Sequence, residues 1–235
     1  AGIGAAIAEA LVHHGMVVVG LARRQEKIQE LAVKLSQAKE PGRLHSLRAD
    51  LTKEEDILGA FKWVEEELGG ADVLINNAGV VQLEYIQDGT TEKWRNTLDI
   101  NVLALCICVR EYLRSMEKRK NQRGHIVVLN SIVAHVIMGP RDAVYHGSKA
   151  AVSAITQCLR RELAEKNSTI KVTGISPGAT KSEGSEKFMP LLGDHHLMLE
   201  ATDVAEAVVN SLATSSVAQI CEVILTPIPC NLVVY

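Results

Sequence analysis

Apolar residues alternate along the chain between two rhythms. Met16 to Leu21 is an unbroken, valine-rich run between Gly15 and Arg23. Such a run suits a strand buried on both faces of a parallel sheet. Gln25 to Gln37 then carries Ile28, Leu31, Ala32 and Leu35 at helical spacing. Leu44 to Ala49 predicts a second strand. Thr52-Lys53-Glu54-Glu55 has the form of a capping box, opening a helix with Ile57, Phe61, Val64 and Leu68 on one face and a stop at Gly69-Gly70. Val73-Leu74-Ile75 predicts the next strand. A long helix capped by Thr91 follows, through Trp94, Leu98, Val102, Leu105 and Val109 towards Met116. Then come a strand at His125–Leu129, a helix from Ala143 to Lys166, a strand at Ile170–Ile175, a helix from Thr202 to Leu212 and a strand at Ile220–Leu225.

Strands alternating with helices imply right-handed crossovers and an α/β, doubly wound parallel sheet with helices on both faces. The strand that this alternation places before the helix Ala5–His13 is missing from the sequence. No linker, low-complexity tract or short repeat divides the chain, so residues 1–235 are expected to form one domain. Lys181 to Glu200 is the one long irregular stretch, a length at which loops are functional or disordered.

Composition narrows the partners. The 235 residues are 47% hydrophobic and 23% charged, with a net charge of -3. That balance gives no electrostatic footing for nucleic acid or an anionic membrane. No apolar run approaches the roughly 18 residues that span a bilayer. The five cysteines include no C-x-x-C pair; most stand among apolar neighbours, so a reducing, cytoplasmic compartment is expected. Lys118-Arg119-Lys120 reads as the solvated end of a helix, and Asn167-Ser168-Thr169 as a chance glycosylation sequon.

In an open parallel sheet, ligands bind beyond the carboxyl ends of the strands. Those ends carry Arg23 and Arg24, Asp50, Asn76-Asn77-Ala78-Gly79, Asn130 and Ser131, and Pro177-Gly178. Turns and caps account for some of these residues but not easily for all five strand ends. Ala1-Gly2-Ile3-Gly4 precedes a helix; it is either a plain turn or a backbone approach to phosphate at a helix N-terminus. Tyr145 and Lys149 are four apart, hence on one helix face. They are either a surface pair or a phenol beside an ammonium that lowers its pKa for proton transfer. Ser131, fourteen residues earlier at a strand end, favours the second reading, because its hydroxyl could hold a substrate oxygen beside the phenol.

In order and spacing, Gly2-Ile3-Gly4, Asn76-Asn77-Ala78-Gly79, Asn101, Ser131, Tyr145-x-x-x-Lys149 and Pro177-Gly178 resemble the short-chain dehydrogenase/reductase family over essentially the whole chain. Ile100-Asn101-Val102-Leu103-Ala104-Leu105 and Ile175-Ser176-Pro177-Gly178 resemble its farnesol dehydrogenase-like subgroup, which acts on lipophilic alcohols and ketones. The resemblance implies a Rossmann-type sheet and hydride transfer between a nicotinamide and an alcohol, ketone or aldehyde. It implies Tyr145 as acid/base and Lys149 as the group that lowers its pKa and binds the nicotinamide ribose. It implies Ser131 as the group orienting the substrate oxygen and Asn101 as the holder of a water. Asn77, Ala78 and Gly79 would line the cofactor cleft with Gly2, Ile3 and Gly4; Asp50 and Leu51 would meet the adenine; Pro177, Gly178 and Ser182 would flank the nicotinamide. Family members often carry threonine where this chain has Ser182, and the Thr-Gly that opens the glycine motif is absent. Pairing through the two long helices implies a homodimer or homotetramer.

Cofactor choice has its own physical argument. An acidic residue after the second strand of such a fold selects NAD. Here Ala22 stands there, followed by Arg23 and Arg24, and guanidinium pairs with phosphate in bidentate fashion. NADP is expected; the competing view makes both arginines the solvated start of a helix. The stretch 181–200, apolar at Phe188, Met189, Leu191, Leu192, Leu197, Met198 and Leu199, is expected to cover a greasy substrate or simply to pack on the core. His195 and His196 lack metal-ligand spacing, so no metal is expected. Two rivals remain: a non-catalytic dinucleotide-binding regulator on the same fold and, among enzymes, a 3-oxoacyl reductase.

Overall fold

The computed structural model describes residues 2–182, 185 and 198–229. A helix comes first, α1 (Gly2–His13), then β1 (Val17–Ala22), α2 (Gln25–Gln37), β2 (Arg43–Arg48), α3 (Glu54–Leu68) and β3 (Val73–Asn76). Next, α4 (Thr91–Leu98) runs through a π turn (Asp99–Leu103) into α5 (Ala104–Lys118). Then follow β4 (His125–Leu129), a 3-10 turn (Ile132–Ala134), α6 (Ala143–Glu165), β5 (Lys171–Pro177), α7 (Ala201–Leu212) and β6 (Glu222–Leu225).

All pairings are parallel: β1 with β2, and β3, β4, β5 and β6 in that order. β4 is buried along its whole length, and its alternation divides the core. Ile126 and Val128 join Val172 of β5 against Leu105, Val109, Tyr112 and Met116 of α5 and Val152, Leu159 and Leu163 of α6. Val127 and Leu129 point the other way, with Ile175, into a cluster with Ile7 and Leu11 of α1 and Val204, Ala205 and Val208 of α7. Each such aliphatic side chain contributes roughly 1.5–3 kcal/mol when fully buried. Helices therefore cover both faces, as in the doubly wound Rossmann-type fold. The sheet is hydrogen-bonded in two parts, and α1 joins them: its cluster also takes in Val18 of β1 and Ile75 of β3.

Several local expectations are corrected. Thr52 does not cap α3; the N-cap is Lys53, with no side-chain cap. Thr52 instead donates to the Asp50 carboxylate, from N at 3.1 Å and Oγ1 at 2.8 Å, a local bond that competes with the helix. Thr90 rather than Thr91 caps α4, accepting from Lys93 N at 3.4 Å. The expected single helix through Trp94 and Val109 is broken at the π turn. A capping box does occur, unforeseen, between Glu200 and Asp203 at the start of α7. Arg119 is no solvated helix end: it turns back onto the loop before β3, with Nη1 2.9 Å from Asp72 Oδ1. Cys108 is buried, but Cys158 and Cys221 are exposed, contrary to a purely apolar role; Cys230 lies outside the described residues.

Candidate active site

The ends of β3, β4 and β5 and the start of α1 meet at one edge of the sheet. Gly2 has φ +56°, a left-handed conformation that favours glycine. A Cβ on Gly2 would stand 2.9 Å from Cβ of Ser182, and one on Gly4 would stand 2.6 Å from Nδ2 of Asn77. Thus the helix start, the segment after β3 and the segment after β5 touch where only hydrogen atoms fit. The first N–H groups of α1 have no intrahelical partner and carry the positive end of the helix dipole. Backbone this bare, at this place in the fold, fits the pyrophosphate of a dinucleotide. At the ends of β3 and β4, Nδ2 of Asn76 and Oδ1 of Asn130 are buried and make no hydrogen bond among the described residues.

The π turn explains how Asn101 reaches this edge. An extra residue in the turn re-aims side chains relative to an α-helix, and Asn101 is buried within it. Its Oδ1 accepts from Val80 N at 2.8 Å, while Nδ2 donates to Val80 O and to Ser148 Oγ, each at 3.0 Å. Ser148 in turn donates to Tyr145 O at 2.7 Å. The Asn76–Gly79 segment is thereby tied to the helix of the acid/base pair. A Cβ on Gly79 would lie 3.6 Å from Asn101 Oδ1 and 3.7 Å from Lys149 Nζ, so Gly79 lies in ordinary contact range of both polar groups.

Ser131 follows β4 in extended conformation and caps the 3-10 turn that swings the chain towards α6. Burial pushes the pKa of the Tyr145 phenol up; the Ser131 hydroxyl beside it acts in the other direction, and Asp142 adds to the rise. The net shift is upward, opposite to the direction expected from a neighbouring Lys149. The Lys149 ammonium is buried and donates to Leu129 O at 3.1 Å. That burial pushes its pKa down to about 8.

At the end of β5, Gly178 donates to Leu225 O at 2.7 Å. Ser182 N donates to Ser185 Oγ at 2.8 Å, and Ser185 N to Ser182 Oγ at 3.1 Å. Most of the stretch expected to cover the substrate, with Phe188, Leu192, His195 and His196, lies outside the described residues. Two other loops, one after β3 and one before α6, meet where Glu84 N donates to Arg141 O at 2.5 Å and the Arg141 guanidinium stands 5.0 Å over the Tyr85 ring. Tyr85, Ile86, Ile137 and Met138 are exposed on these loops.

At the other end, Arg23 follows β1 and lines an open groove with Gln25, Glu26, Gln29 and Arg48. Arg24 is the N-cap residue of α2 and is not among the groove's lining residues. Thr52 holds the Asp50 carboxyl below the usual range, helped by the nearby charge of Arg23. Leu51 packs on Ile57 and Ala104 and so has a core role as well. Arg48, Ser148 and a bridge from His135 through Ser176 to Glu222, with hydrogen bonds of 3.0 and 2.8 Å, were not foreseen. Only the motif-like spacing around Tyr145 could have singled out Ser148; the others depend on pairings between distant strands.

Residues 1–190 match the short chain dehydrogenase family model. The chain is 43% identical over 231 residues to a farnesol dehydrogenase of Aedes aegypti, covering 97% of this chain and 92% of that one. It is 41% identical over 234 residues to dehydrogenase/reductase SDR family member 11 of Bos taurus, covering 96% and 92%. Among solved structures, the closed form of a serine dehydrogenase complexed with NADP+ superimposes with a TM-score of 0.85 at 25% identity, over 98% of this chain and 93% of that one. A short-chain type dehydrogenase/reductase from Mycobacterium marinum does so with a TM-score of 0.85 at 26% identity, over 96% and 90%. With a furnished sheet edge, a family match over most of its length and relatives above 40% identity, the chain belongs to the short-chain dehydrogenase/reductase family of oxidoreductases.

Proposed function

We propose that the protein, acting as one domain, is an NADP-dependent oxidoreductase interconverting lipophilic alcohols with ketones or aldehydes. The observation that carries this reading is the placement of the Ser131 hydroxyl beside the Tyr145 phenol, close enough to act on its pKa, with buried Lys149 one helical turn away. In this reading Ser131 holds the substrate oxygen against the phenol. Tyr145 gives that oxygen a proton in reduction and takes one in oxidation. The raised pKa of the phenol keeps it protonated at neutral pH, which suits reduction. Lys149 holds the ribose next to the nicotinamide, and Asn101 anchors the Asn76–Gly79 segment and a water behind Lys149. Gly2, Ile3 and Gly4 hold the pyrophosphate, Asp50 and Leu51 the adenine, and Pro177, Gly178 and Ser182 the nicotinamide side. When bound, the nicotinamide supplies or accepts the hydride.

NADP is favoured by Ala22, which puts no carboxylate beside the adenine ribose, and by Arg23 in the adjoining groove. A solved relative in complex with NADP+ supports the same choice. The exposed apolar residues on the two loops, Tyr85, Ile86, Ile137 and Met138, and the relative named farnesol dehydrogenase support a lipophilic substrate. Residues 181–200 would complete the cover. The unpaired thiols of Cys106, Cys108, Cys158 and Cys221 suit a cytoplasmic setting. No helix among the described residues is long and apolar enough to cross a membrane.

The test is steady-state kinetics with NADPH and NADH on carbonyl substrates from acetone to long-chain and isoprenoid aldehydes. NADPH should be preferred by about tenfold or more in kcat/KM, the gain from one charge-assisted contact. Efficiency should rise with chain length. Equal use of NADH, or a preference for the short ketones, would overturn the corresponding half of the proposal.

A homodimer or homotetramer is also proposed. Leu98 and Leu103, 45% and 54% exposed, leave apolar surface on the α4–α5 element. Light scattering at micromolar concentration should give two or four times the mass of one chain; the mass of a single chain would refute the assembly.

A further inference from the structure

We propose that Arg48, at the end of β2, is a second arm of the cofactor site and grips, together with Arg23, a phosphate on the adenine ribose. This rests on the NADP reading above and adds a residue to it. The placement follows from strand register. β1 and β2 are parallel, and Ala22 is the register partner of Arg48. Arg48 thus sits directly across from the residue that leads into Arg23.

Period-two alternation puts Ser46 and Arg48 on one face of β2. That face meets α2: Gln25 Nε2 donates to Ser46 O at 3.0 Å, and Ser46 Oγ donates to Gln29 Oε1 at 2.8 Å. These bonds fix the first turns of α2 against β2 and close the groove at Ser46. Arg48 is the next position on that face, towards the open end. The resulting groove, about 530 Å³, is lined by Arg23, Gln25, Glu26, Gln29 and Arg48.

Its chemistry is that of an anion site. Two guanidinium groups, two amides and the N-terminal end of α2 outweigh the single carboxylate of Glu26. Both arginines are exposed, and among the described residues neither side chain makes a hydrogen bond or a salt bridge, Arg23 acting on Asp50 only through its charge. Two like charges facing one groove repel each other unless an anion lies between them. A ribose phosphate, with three acceptor oxygens, can take a bidentate contact from one guanidinium and a further bond from the other. Asp50 does not compete for Arg48, because its carboxylate is engaged by Thr52. In sequence Arg48 is twenty-five residues from Arg23, so only the strand pairing brings them together.

The experiment is direct binding, by calorimetry or nicotinamide fluorescence, of NADPH, NADH, 2′,5′-ADP and 5′-AMP to the full chain. Wild type, Arg23→Ala, Arg48→Ala and the double variant are compared, with melting curves to show that each variant is folded. Arg48→Ala should weaken NADPH and 2′,5′-ADP by about tenfold or more, the loss of one hydrogen bond to a charged group. NADH and 5′-AMP should bind as before, and Arg48→Lys should recover part of the loss. Unchanged NADPH binding in Arg48→Ala overturns the assignment. Equal weakening of NADPH and NADH also overturns it, since it would mean that Arg48 stacks on the adenine. Wild type binding NADH as tightly as NADPH would defeat the NADP reading itself, and that result is visible before any variant is made.

Discussion

Tyr145→Phe lowers kcat about 10²–10⁴-fold, the usual cost of losing a positioned acid/base group, and leaves the Kd for NADPH unchanged. The substitution removes a single hydroxyl and keeps the ring, so packing at the start of α6 is preserved. What is lost is the proton-bearing group that stands beside Ser131 at the strand ends. Burial raises the phenol's pKa, so it is a proton donor across the neutral range and the deficit should be nearly independent of pH there. Stopped-flow or steady-state reduction of a long-chain aldehyde gives kcat, and fluorescence quenching gives the Kd. A variant that turns over within a few-fold of wild type would remove Tyr145 from the chemistry and leave Ser131 and Lys149 without a proton donor between them.

The fold was legible where burial dictates composition. The apolar run Ile126–Leu129 suits a strand buried on both faces, and the structure buries β4 along its whole length. The site was legible where local spacing suffices: Tyr145 and Lys149 share a helix face in any α-helix. What escaped depends on competition or on distance. Thr52 prefers the Asp50 carboxylate to capping α3, a choice that a capping-box pattern does not contain. The π turn at Asp99–Leu103 comes from packing, since hydrophobic periodicity continues through it from Leu98 to Leu105. Arg48 joins Arg23 only through the β1–β2 register. The direction of the Tyr145 shift escaped for another reason. Spacing says that an ammonium is near, but not that the ammonium is buried and bonded to Leu129 O.

That burial carries the second large effect. Replacing Lys149 by methionine should abolish turnover and yet stabilise the protein without cofactor at neutral pH. Lys149 is 5% exposed, and burial pushes its pKa from 10.5 down to about 8. The folded chain therefore binds this proton less tightly than the unfolded chain does. Below about pH 8 the ammonium is charged in both states, and the full cost of burying it, roughly 3 kcal/mol, is present. Between about pH 8 and 10.5 the unfolded chain holds more protons than the folded one, so stability rises with pH and the cost is relieved. Methionine fills a similar volume without the charge, but it gives up the hydrogen bond to Leu129 O, worth about 1 kcal/mol. The net gain at pH 7 is about 2 kcal/mol, or several degrees in Tm at roughly 2–4 °C per kcal/mol for a chain of this size. Melting curves of both proteins at about pH 7 and pH 9.5 read the sign directly: the advantage of Lys149→Met should shrink at the higher pH. A variant that is less stable at neutral pH, by a margin that does not change with pH, would mean that the ammonium is well solvated.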